Sequence, residues 1–365
     1  MESTPLSNEL NFGEMLNKKG FIMLTKNIVG IDLAKNTFQV CHISIHGELL
    51  SNKAMSRQKV KEFLAKIKPS VIAIEGCSSS HYWGRYAEQF GHEVRIISPK
   101  KVKGYLEGHK TDKNDALAIA NAALQIGIKF SQPKSVEQQT LHSLETSRQF
   151  LTRSIVSLGN HIRAIIFEYG ISYPKGEKGL RASVEFVLNH ESDIPQSLIN
   201  VLSVLWEQYK HQKEELKALE KEKNALTRQI EPCNRLMKLE GVGETIAAML
   251  YSTLGDGLQF KNGRQASAFI GLTPKQYSTG GKVVMMGIDK YGGVKDLRSL
   301  LYLGAMAYIS RLSEEPVTQK DVWLLKAVKR LGFKKACIAL ANKTVRTAWA
   351  MLRHQTKYEP VLIVN

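Results

Sequence analysis

Two long series of mostly apolar residues in the middle of the chain constrain its fold more than any other feature. The series occupy residues 141–169 and 198–230, and successive members stand three or four residues apart. This spacing places a stripe along one face of a helix, so it predicts two long helices joined by a connector that contains Gly and Pro. We interpret the pair as a coiled-coil arm used for dimerisation, although two ordinary amphipathic core helices would give the same pattern. Gln212 and Lys223 stand at seam positions, where polar residues weaken packing but can fix register or partner.

The regions on either side of this arm have different patterns. Before it, the strands "NIVGID" and "FQVCHIS" precede alternating helices and strands, which indicates an α/β domain with a mixed sheet. After Pro232 the chain has short helices, glycine turns and many basic residues, which indicates a mainly helical domain. The predicted division is a flexible extension (1–26), an α/β domain (27–132), a helical arm (133–232) and a mainly helical C-terminal domain (233–365).

The charge of the chain indicates its partner. Lysine and arginine outnumber aspartate and glutamate by 51 to 34, for a net charge of +17. Residues 233–365 hold 20 of the cations and 9 of the anions, so this third of the chain carries +11 of the total. Such an excess favours a nucleic acid partner over evenly spread solubilising charge. The predicted phosphate contacts in this region are Lys275, Lys282, Lys290 and Arg298.

Several other classes of protein are disfavoured. The longest apolar run, residues 300–309, has ten residues and is too short to cross a membrane. The N-terminus lacks the pattern of a signal peptide, so a cytoplasmic protein without a membrane partner is expected. The four cysteines are scattered, which argues against structural zinc and a disulfide framework.

Four carboxylates have a pattern that suits a metal site. Asp32 and Glu75 each end an apolar strand, and parallel α/β sheets place functional groups at such ends. Asp112 and Asp115 stand three apart at the start of a predicted helix and share one face. Together the four could bind one or two Mg²⁺ ions and leave positions open for phosphate. Either helical aspartate alone could instead be a helix cap.

The segment "YSTGGK" adds a possible nucleophile, Ser278. Alone, this segment would be read as a turn, and it is not a Walker A loop because no glycine stands at the required distance before Gly281. A nucleophilic serine needs a base or metal to activate it and cations to stabilise the developing charge. Lys282 is close in sequence, and a metal held by the carboxylates is the candidate activator.

A further segment, "LEGVGETIAAML", is similar to a helix–hairpin–helix. Gly241 and Gly243 would let backbone N–H groups approach a phosphate at a helix N-terminus. A plain turn between two helices explains the glycines equally well.

These motifs resemble a known family. "GIDLAKNTFQV", "AIEGC" and "KTDKNDALAIA" resemble the RuvC-type domain of the DEDD transposases of the insertion sequence 110 family, which includes the Piv-type invertases. "LEGVGETIAAMLYSTLGD", "QASAFIGLTPKQYSTGGK", "DLRSLL" and "ALANKTVRTAWAML" resemble the C-terminal transposase domain of that family, in the usual order. The resemblance extends over residues 27–352.

The resemblance implies an RNase H-like fold in which the four carboxylates bind Mg²⁺. It also implies that Ser278 forms a covalent phosphoserine with DNA, which a 3′-hydroxyl of another strand later displaces without ATP. Family members often have a second serine where this chain has Thr279, which leaves Ser278 as the better nucleophile. The resemblance further implies guidance by a bridge RNA, and dimers that pair into tetramers in which one subunit's serine domain completes another's RuvC site.

The expected function is therefore that of a transposase that inserts and excises its element, with double-stranded donor and target DNA as partners. Three alternatives remain open. One is a metal-dependent nuclease or junction resolvase that uses water, and the second is a Piv-type invertase without a guide RNA. The third is a basic nucleic-acid-binding protein with an inactive site. Base pairing with the guide, rather than the protein, is expected to read the target sequence.

Overall fold

A computed structural model describes residues 26–125, 127–189, 193–288 and 293–363. These residues form two compact units that divide between Ser135 and Val136. The predicted extension therefore lies almost wholly outside the described residues, and so does Lys290. None of the helices in these ranges combines the length and the apolar character that a membrane span requires.

The described part of the first unit contains a five-stranded sheet, four α-helices and one short 3₁₀ helix (Lys103–Tyr105). Its elements are β1 (Ile28–Asp32), β2 (Thr37–Ile43), β3 (Leu49–Ser56), α1 (Arg57–Lys66), β4 (Val71–Glu75), α2 (Ser80–Glu88), β5 (Glu93–Ile97), α3 (Pro99–Val102) and α4 (Asp112–Ala123). The strand order is β3-β2-β1-β4-β5. The three leading strands pair antiparallel, whereas β4 and β5 run parallel to β1. The predicted mixed α/β sheet is confirmed, and it is compatible with an RNase H-like domain.

The two central strands are buried on both faces. The first four residues of β1, "IVGI", and of β4, "VIAI", are all buried. One face packs into a core that includes Val60 and Trp83 of α1 and α2, and the other packs against α4. Continuous apolar runs of this kind are typical of parallel strands covered on both sides.

Gly30, in the middle of β1, allows α4 to lie very close to the sheet. A Cβ atom at this position would be 2.7 Å from the backbone nitrogen of Ala120 and would also overlap the carbonyl oxygen of Ala116. Both are backbone atoms of α4, so neither can move aside alone. Because Asp32 follows two residues later, this close packing fixes how far Asp32 stands from the start of α4.

We expect Gly30→Ala to push α4 away from β1. Overpacking of this kind costs about 1–3 kcal/mol, so urea unfolding should show a lower free energy of unfolding. The aspartates of α4 would also separate from Asp32, so any chemistry that needs these carboxylates together should weaken. Gly104→Ala is the matched control because an added Cβ at Gly104 meets nothing within 4 Å. Equal stability of the two variants would contradict the close-packing argument.

The second unit is mainly helical. Its elements are α5 (Val136–Glu168), α6 (Glu177–Leu188), α7 (Gln196–Gln229), α8 (Glu231–Leu236), α9 (Glu244–Leu254), α10 (Gly263–Ile270), β6 (Pro274–Thr279), β7 (Lys282–Ile288), α11 (Lys295–Ile309), α12 (Gln319–Leu331) and α13 (Phe333–His354). The predicted arm and the predicted C-terminal domain share this unit, and one core cluster contains both Leu141 of α5 and Leu250 of α9. The four-part division of the chain stays a prediction.

The two predicted long helices are present as α5 and α7, with 33 and 34 residues. They run antiparallel, because Ser154 Oγ donates to Gln212 Oε1 at 3.0 Å while the earlier Glu145 meets the later Lys223. The connector between them, predicted only to contain Gly and Pro, is partly helical. It contains α6, whose apolar residues close a core with both long helices. The coiled-coil arm and its role in dimerisation therefore remain a prediction.

Lys223, one of the polar residues in the predicted seam, forms a buried ion pair with Glu145. Its ammonium donates to Glu145 Oε2 at 2.9 Å and to Thr245 Oγ1 at 2.7 Å, with Lys223 1% and Glu145 0% exposed. Burial alone would raise the pKa of Glu145, but hydrogen bonds from Arg148 and Lys223 hold it below its usual range. Both charges are paired, as buried charges must be. Glu145 lies outside the apolar series, and the sequence pattern did not reveal its role.

Candidate active site

Asp32 and Glu75 lie at the same end of the sheet, on neighbouring strands. They end the parallel neighbours β1 and β4, which pair through Ile31 and Ile74 immediately before them. The carboxyl ends of parallel strands are where open α/β sheets carry their functional groups. Both side chains are partly exposed, whereas the preceding strand residues are buried.

Asp112 and Asp115 lie in the first turn of α4, and neither of them caps it. Thr111 is the N-cap, and its side chain accepts a hydrogen bond from the backbone N–H of Asn114. The capping alternative for the two aspartates is therefore excluded. Their negative charges stand at the positive end of the helix dipole, which favours anions.

Three of the four carboxylates come within metal-binding reach of one another. One oxygen from each of Asp32, Asp112 and Asp115 lies within 4.8 Å of the other two. Glu75 is not part of this close group, although its charge acts on Asp32. Hard carboxylate oxygens in this arrangement are suitable ligands for Mg²⁺. The predicted carboxylate cluster thus forms in the described chain with three close members and one more distant member.

The charges of the cluster repel one another. Burial, followed by the charges of Asp115, Asp112 and Glu75, raises the pKa of Asp32 to about 6, and Lys110 opposes this rise. Burial and Asp115 also raise the pKa of Glu75. A divalent cation between these oxygens would relieve the repulsion, so the donor set fits such an ion in both geometry and charge.

We expect Mg²⁺ to stabilise the protein above the pKa of Asp32 and much less below it. A carboxyl group whose pKa is higher in the folded than in the unfolded chain destabilises the fold as pH rises past both values. A bound cation removes that penalty, whereas protons displace the cation at low pH. Thermal unfolding should show a rise in Tm with Mg²⁺ well above pH 6, about 2–4 °C for each kcal/mol gained.

The control for this measurement is NaCl at the same ionic strength, which should not reproduce the rise in Tm. A Mg²⁺ effect of equal size on both sides of the Asp32 pKa, about 6, would contradict metal binding at this cluster.

Ser278 lies on an exposed β-hairpin of the second unit. The hairpin consists of β6 and β7, and its turn is Gly280–Gly281 with φ of 56° and 79°, as a type I′ turn requires. The Ser278 hydroxyl accepts a hydrogen bond from Gln276 Nε2 at 3.0 Å. Residues 274–288 contain no Asp, Glu or His, so the hairpin itself supplies no carboxylate or imidazole base. Any carboxylate or imidazole that activates Ser278 must come from residues outside the hairpin.

The predicted phosphate contacts divide into exposed and buried side chains. Lys275 and Lys282 are exposed on the serine hairpin. Arg298 is only 7% exposed in α11, so its prediction as a surface contact disagrees with its burial. The reason is its position on the helix face that also carries the buried Leu297 and Leu301.

The two glycines of the helix–hairpin–helix-like segment have different roles. A Cβ at Gly241 would be 2.5 Å from the carbonyl oxygen of Gly304, so Gly241 allows the backbone to approach α11. Gly243 is the N-cap of α9 and has open space beside it. Glu244 in the first turn pairs with Arg228 at 2.6 Å, so a carboxylate already stands at this helix N-terminus. This charge disfavours the predicted phosphate contact there.

Sequence reasoning missed three contributors to the carboxylate site. Thr111 caps α4, Lys110 places a cation beside the cluster, and Gly30 sets the distance between helix and strand. The lone glycine inside an apolar strand was the available signal for Gly30, since it often marks close backbone approach.

Comparison with known proteins gives the family. Residues 29–171 match the DEDD transposase model of IS110 elements, and residues 233–320 match the model described as "Transposase IS116/IS110/IS902 family". The transposase for insertion sequence element IS1111A of Coxiella burnetii is 36% identical over 332 residues, which cover 91% of each chain. The chain belongs to the IS110 family of transposases.

Other relatives support the same assignment. The transposase for element IS1328 of Yersinia enterocolitica is 34% identical over 91% of this chain and 98% of its own. The pilin gene-inverting protein of Moraxella bovis is 24% identical over 92% of this chain and 98% of its own. This IS110-family protein is therefore a DNA recombination enzyme, as the sequence motifs indicated. The segment that matches the first model includes all four carboxylates, and the segment that matches the second includes Ser278.

Proposed function

We propose that this transposase inserts and excises its element by serine recombination at the carboxylate cluster. The observation that carries the proposal is the approach of Asp32, Asp112 and Asp115 to within 4.8 Å of one another at the sheet edge. Carboxylates so placed suit the metal-dependent transfer of phosphodiester bonds.

Asp32, Asp112 and Asp115, with Glu75 beside them, would hold one or two Mg²⁺ ions. When bound, the metal supplies Lewis-acid activation of the phosphate and stabilises charge on the attacking and leaving oxygens. Lys282 and Lys275, exposed near Ser278, are positioned to offset phosphate charge.

Ser278 attacks the scissile phosphorus. Its hydroxyl loses a proton, the Oγ–P bond forms, and the bond from phosphorus to the 3′ oxygen breaks, which leaves a 3′-hydroxyl that has taken up a proton. In the second step a 3′-hydroxyl of another strand attacks the same phosphorus, and Ser278 regains its proton as the Oγ–P bond breaks. The number of phosphodiester linkages is conserved, so no nucleotide cofactor is needed.

The proposal also includes assembly of the protein into dimers or tetramers and guidance of the reaction by a bridge RNA. The serine hairpin has no carboxylate or imidazole of its own, which supports a site shared between subunits of a dimer or tetramer. The net charge of +17 supports binding of a bridge RNA in addition to donor and target DNA. Resemblance to other family members supports both features.

Mapping of a covalent adduct tests the proposed function. The protein is incubated with Mg²⁺ and the DNA of its own element junction, together with RNA transcribed from the element. After nuclease digestion, mass spectrometry should find a nucleotide on the peptide that contains Ser278. Strand cleavage without any protein-linked nucleotide would instead indicate a nuclease that uses water.

Inversion by a Piv-type reaction is the second candidate, favoured by the full-length similarity to the Moraxella bovis pilin gene-inverting protein. The lower identity, 24% against 36%, places it behind transposition. Recombination by purified protein and DNA without added RNA would support inversion, whereas a requirement for the element's RNA supports guided transposition.

A further inference from the structure

A large open groove lies beside the serine hairpin in the second unit. Its volume is about 1440 Å³, and its walls come from α10, α12, α13 and strand β7. Met285 and Met286 of β7 line the groove, and Val283 of the same strand pairs with Ser278. Three residues of strand span about 10 Å, so one end of the groove opens close to the proposed nucleophile.

The groove is cationic. Among the described residues its lining contains no aspartate or glutamate. Its five cations are all exposed, and they are Arg264, Lys334, Lys335, Lys343 and Arg346. A groove whose lining carries cations and no carboxylates attracts a polyanion.

Helix α13 arranges most of these cations in a row. Lys335, Lys343 and Arg346 fall on the helix face opposite the buried Leu340 and Val345. Eleven residues of helix separate the first and last of them, a length of about 16 Å. A row of this length can contact several consecutive phosphates of one strand.

Aromatic side chains complete the lining. Trp323, Trp349 and Tyr302 are partly exposed in the groove. Lys343 Nζ lies over the ring of Trp323, 4.5 Å from its centroid, and Trp349 donates to the carbonyl of Gly257 at 3.0 Å. Cations that follow a backbone, together with aromatic rings on which bases stack, are typical of sites for single-stranded nucleic acid. A duplex would present few base faces to these rings.

We propose that this groove binds a single-stranded nucleic acid segment that leads to Ser278. The inference rests on the proposed serine chemistry for its location, but the binding itself does not require that chemistry. DNA and RNA share the phosphates and bases that the groove recognises, so the two sources are separated by experiment.

The test compares two triple variants of the full-length protein. The groove variant carries Lys335→Gln, Lys343→Gln and Arg346→Gln. The control variant carries Lys326→Gln, Lys329→Gln and Arg330→Gln, which removes the same residue types from exposed positions of α12 outside the groove. Fluorescence anisotropy measures binding of a DNA and an RNA oligonucleotide of the same sequence, and of the DNA duplex, at several salt concentrations.

We expect the groove variant to bind single strands at least about 10-fold more weakly than the control variant. Its slope of log affinity against log salt should be smaller by about 2, because three phosphate contacts are lost. Stronger loss for DNA than for RNA identifies a substrate strand, and the reverse identifies a guide strand. Equal binding by the two variants, or an equal loss for duplex and single strand, overturns the inference.

Cross-linking of the wild-type protein keeps the test independent of folding defects. Irradiation with a single strand that contains 5-iodouracil should label the peptides with Trp323 or Trp349, and labelling only elsewhere overturns the inference. The two proposals can fail separately. If the wild-type protein forms a Ser278 adduct but the groove variant binds single strands normally, only the proposal about the groove is overturned. If the groove variant loses single-strand binding but the wild-type protein forms no Ser278 adduct, only the proposal of serine catalysis is overturned.

Discussion

Replacement of Ser278 by alanine is expected to abolish covalent DNA adducts and recombination. The hydroxyl is the proposed attacking group, and loss of a covalent nucleophile lowers rates by about 10³-fold or more. The side chain is exposed on a hairpin, so its removal should leave the free energy of unfolding nearly unchanged. Gel analysis of protein-linked DNA and a junction assay measure the two activities.

Thr279→Ala is the matched control for this substitution. Thr279 is the adjacent exposed residue of β6, and neighbouring strand residues project to opposite faces. Only one of the two hydroxyls can therefore face a given scissile phosphate. Activity near the wild-type level in Thr279→Ala is expected. Adducts that persist in Ser278→Ala and vanish in Thr279→Ala would show that the nucleophile was assigned to the wrong residue.

Replacement of Asp32 or Asp115 by asparagine is expected to lower activity and raise stability together. Loss of one proposed metal ligand should weaken transition-state stabilisation by about 3–4 kcal/mol, or about 10²–10³-fold in rate. In the absence of metal the same change removes a repelling charge, so Tm should rise by about 2–4 °C. Strand-transfer rates and thermal unfolding with and without Mg²⁺ measure both effects.

Two further variants serve as comparisons for Asp32→Asn and Asp115→Asn. Glu75→Gln should cost less activity, because Glu75 lies outside the close group of three carboxylates. Glu48→Gln, at an exposed position of the same unit, should change neither property. A fall in Tm for Asp32→Asn without metal would contradict the repulsion that raises the pKa of Asp32 to about 6.

Much of the fold could be predicted because its determinants are local. The apolar runs before Asp32 and Glu75 identify buried strands, and spacings of three and four identify α5 and α7. The positions of the four carboxylates followed from the same patterns, since each stands where an element ends or begins. Their motifs also indicated the family.

The remaining features depend on residues that meet only after folding. Whether Asp112 capped α4 or faced the cluster was open in the sequence, because Thr111 and both aspartates are all competent caps. The folded chain assigns the cap to Thr111. The pairing of Lys223 with Glu145 likewise joins residues that are far apart in sequence.

The sequence by itself determined the family, the order of the elements and which residue types stand at strand ends. Tertiary structure alone decided that Asp32, Asp112 and Asp115 meet within 4.8 Å while Glu75 stands apart. It also decided that cations of α10 and α13 line one groove beside the serine hairpin. The physical reason is that periodicity fixes the face on which a side chain lies, whereas distances between elements depend on packing such as that of α4 on Gly30.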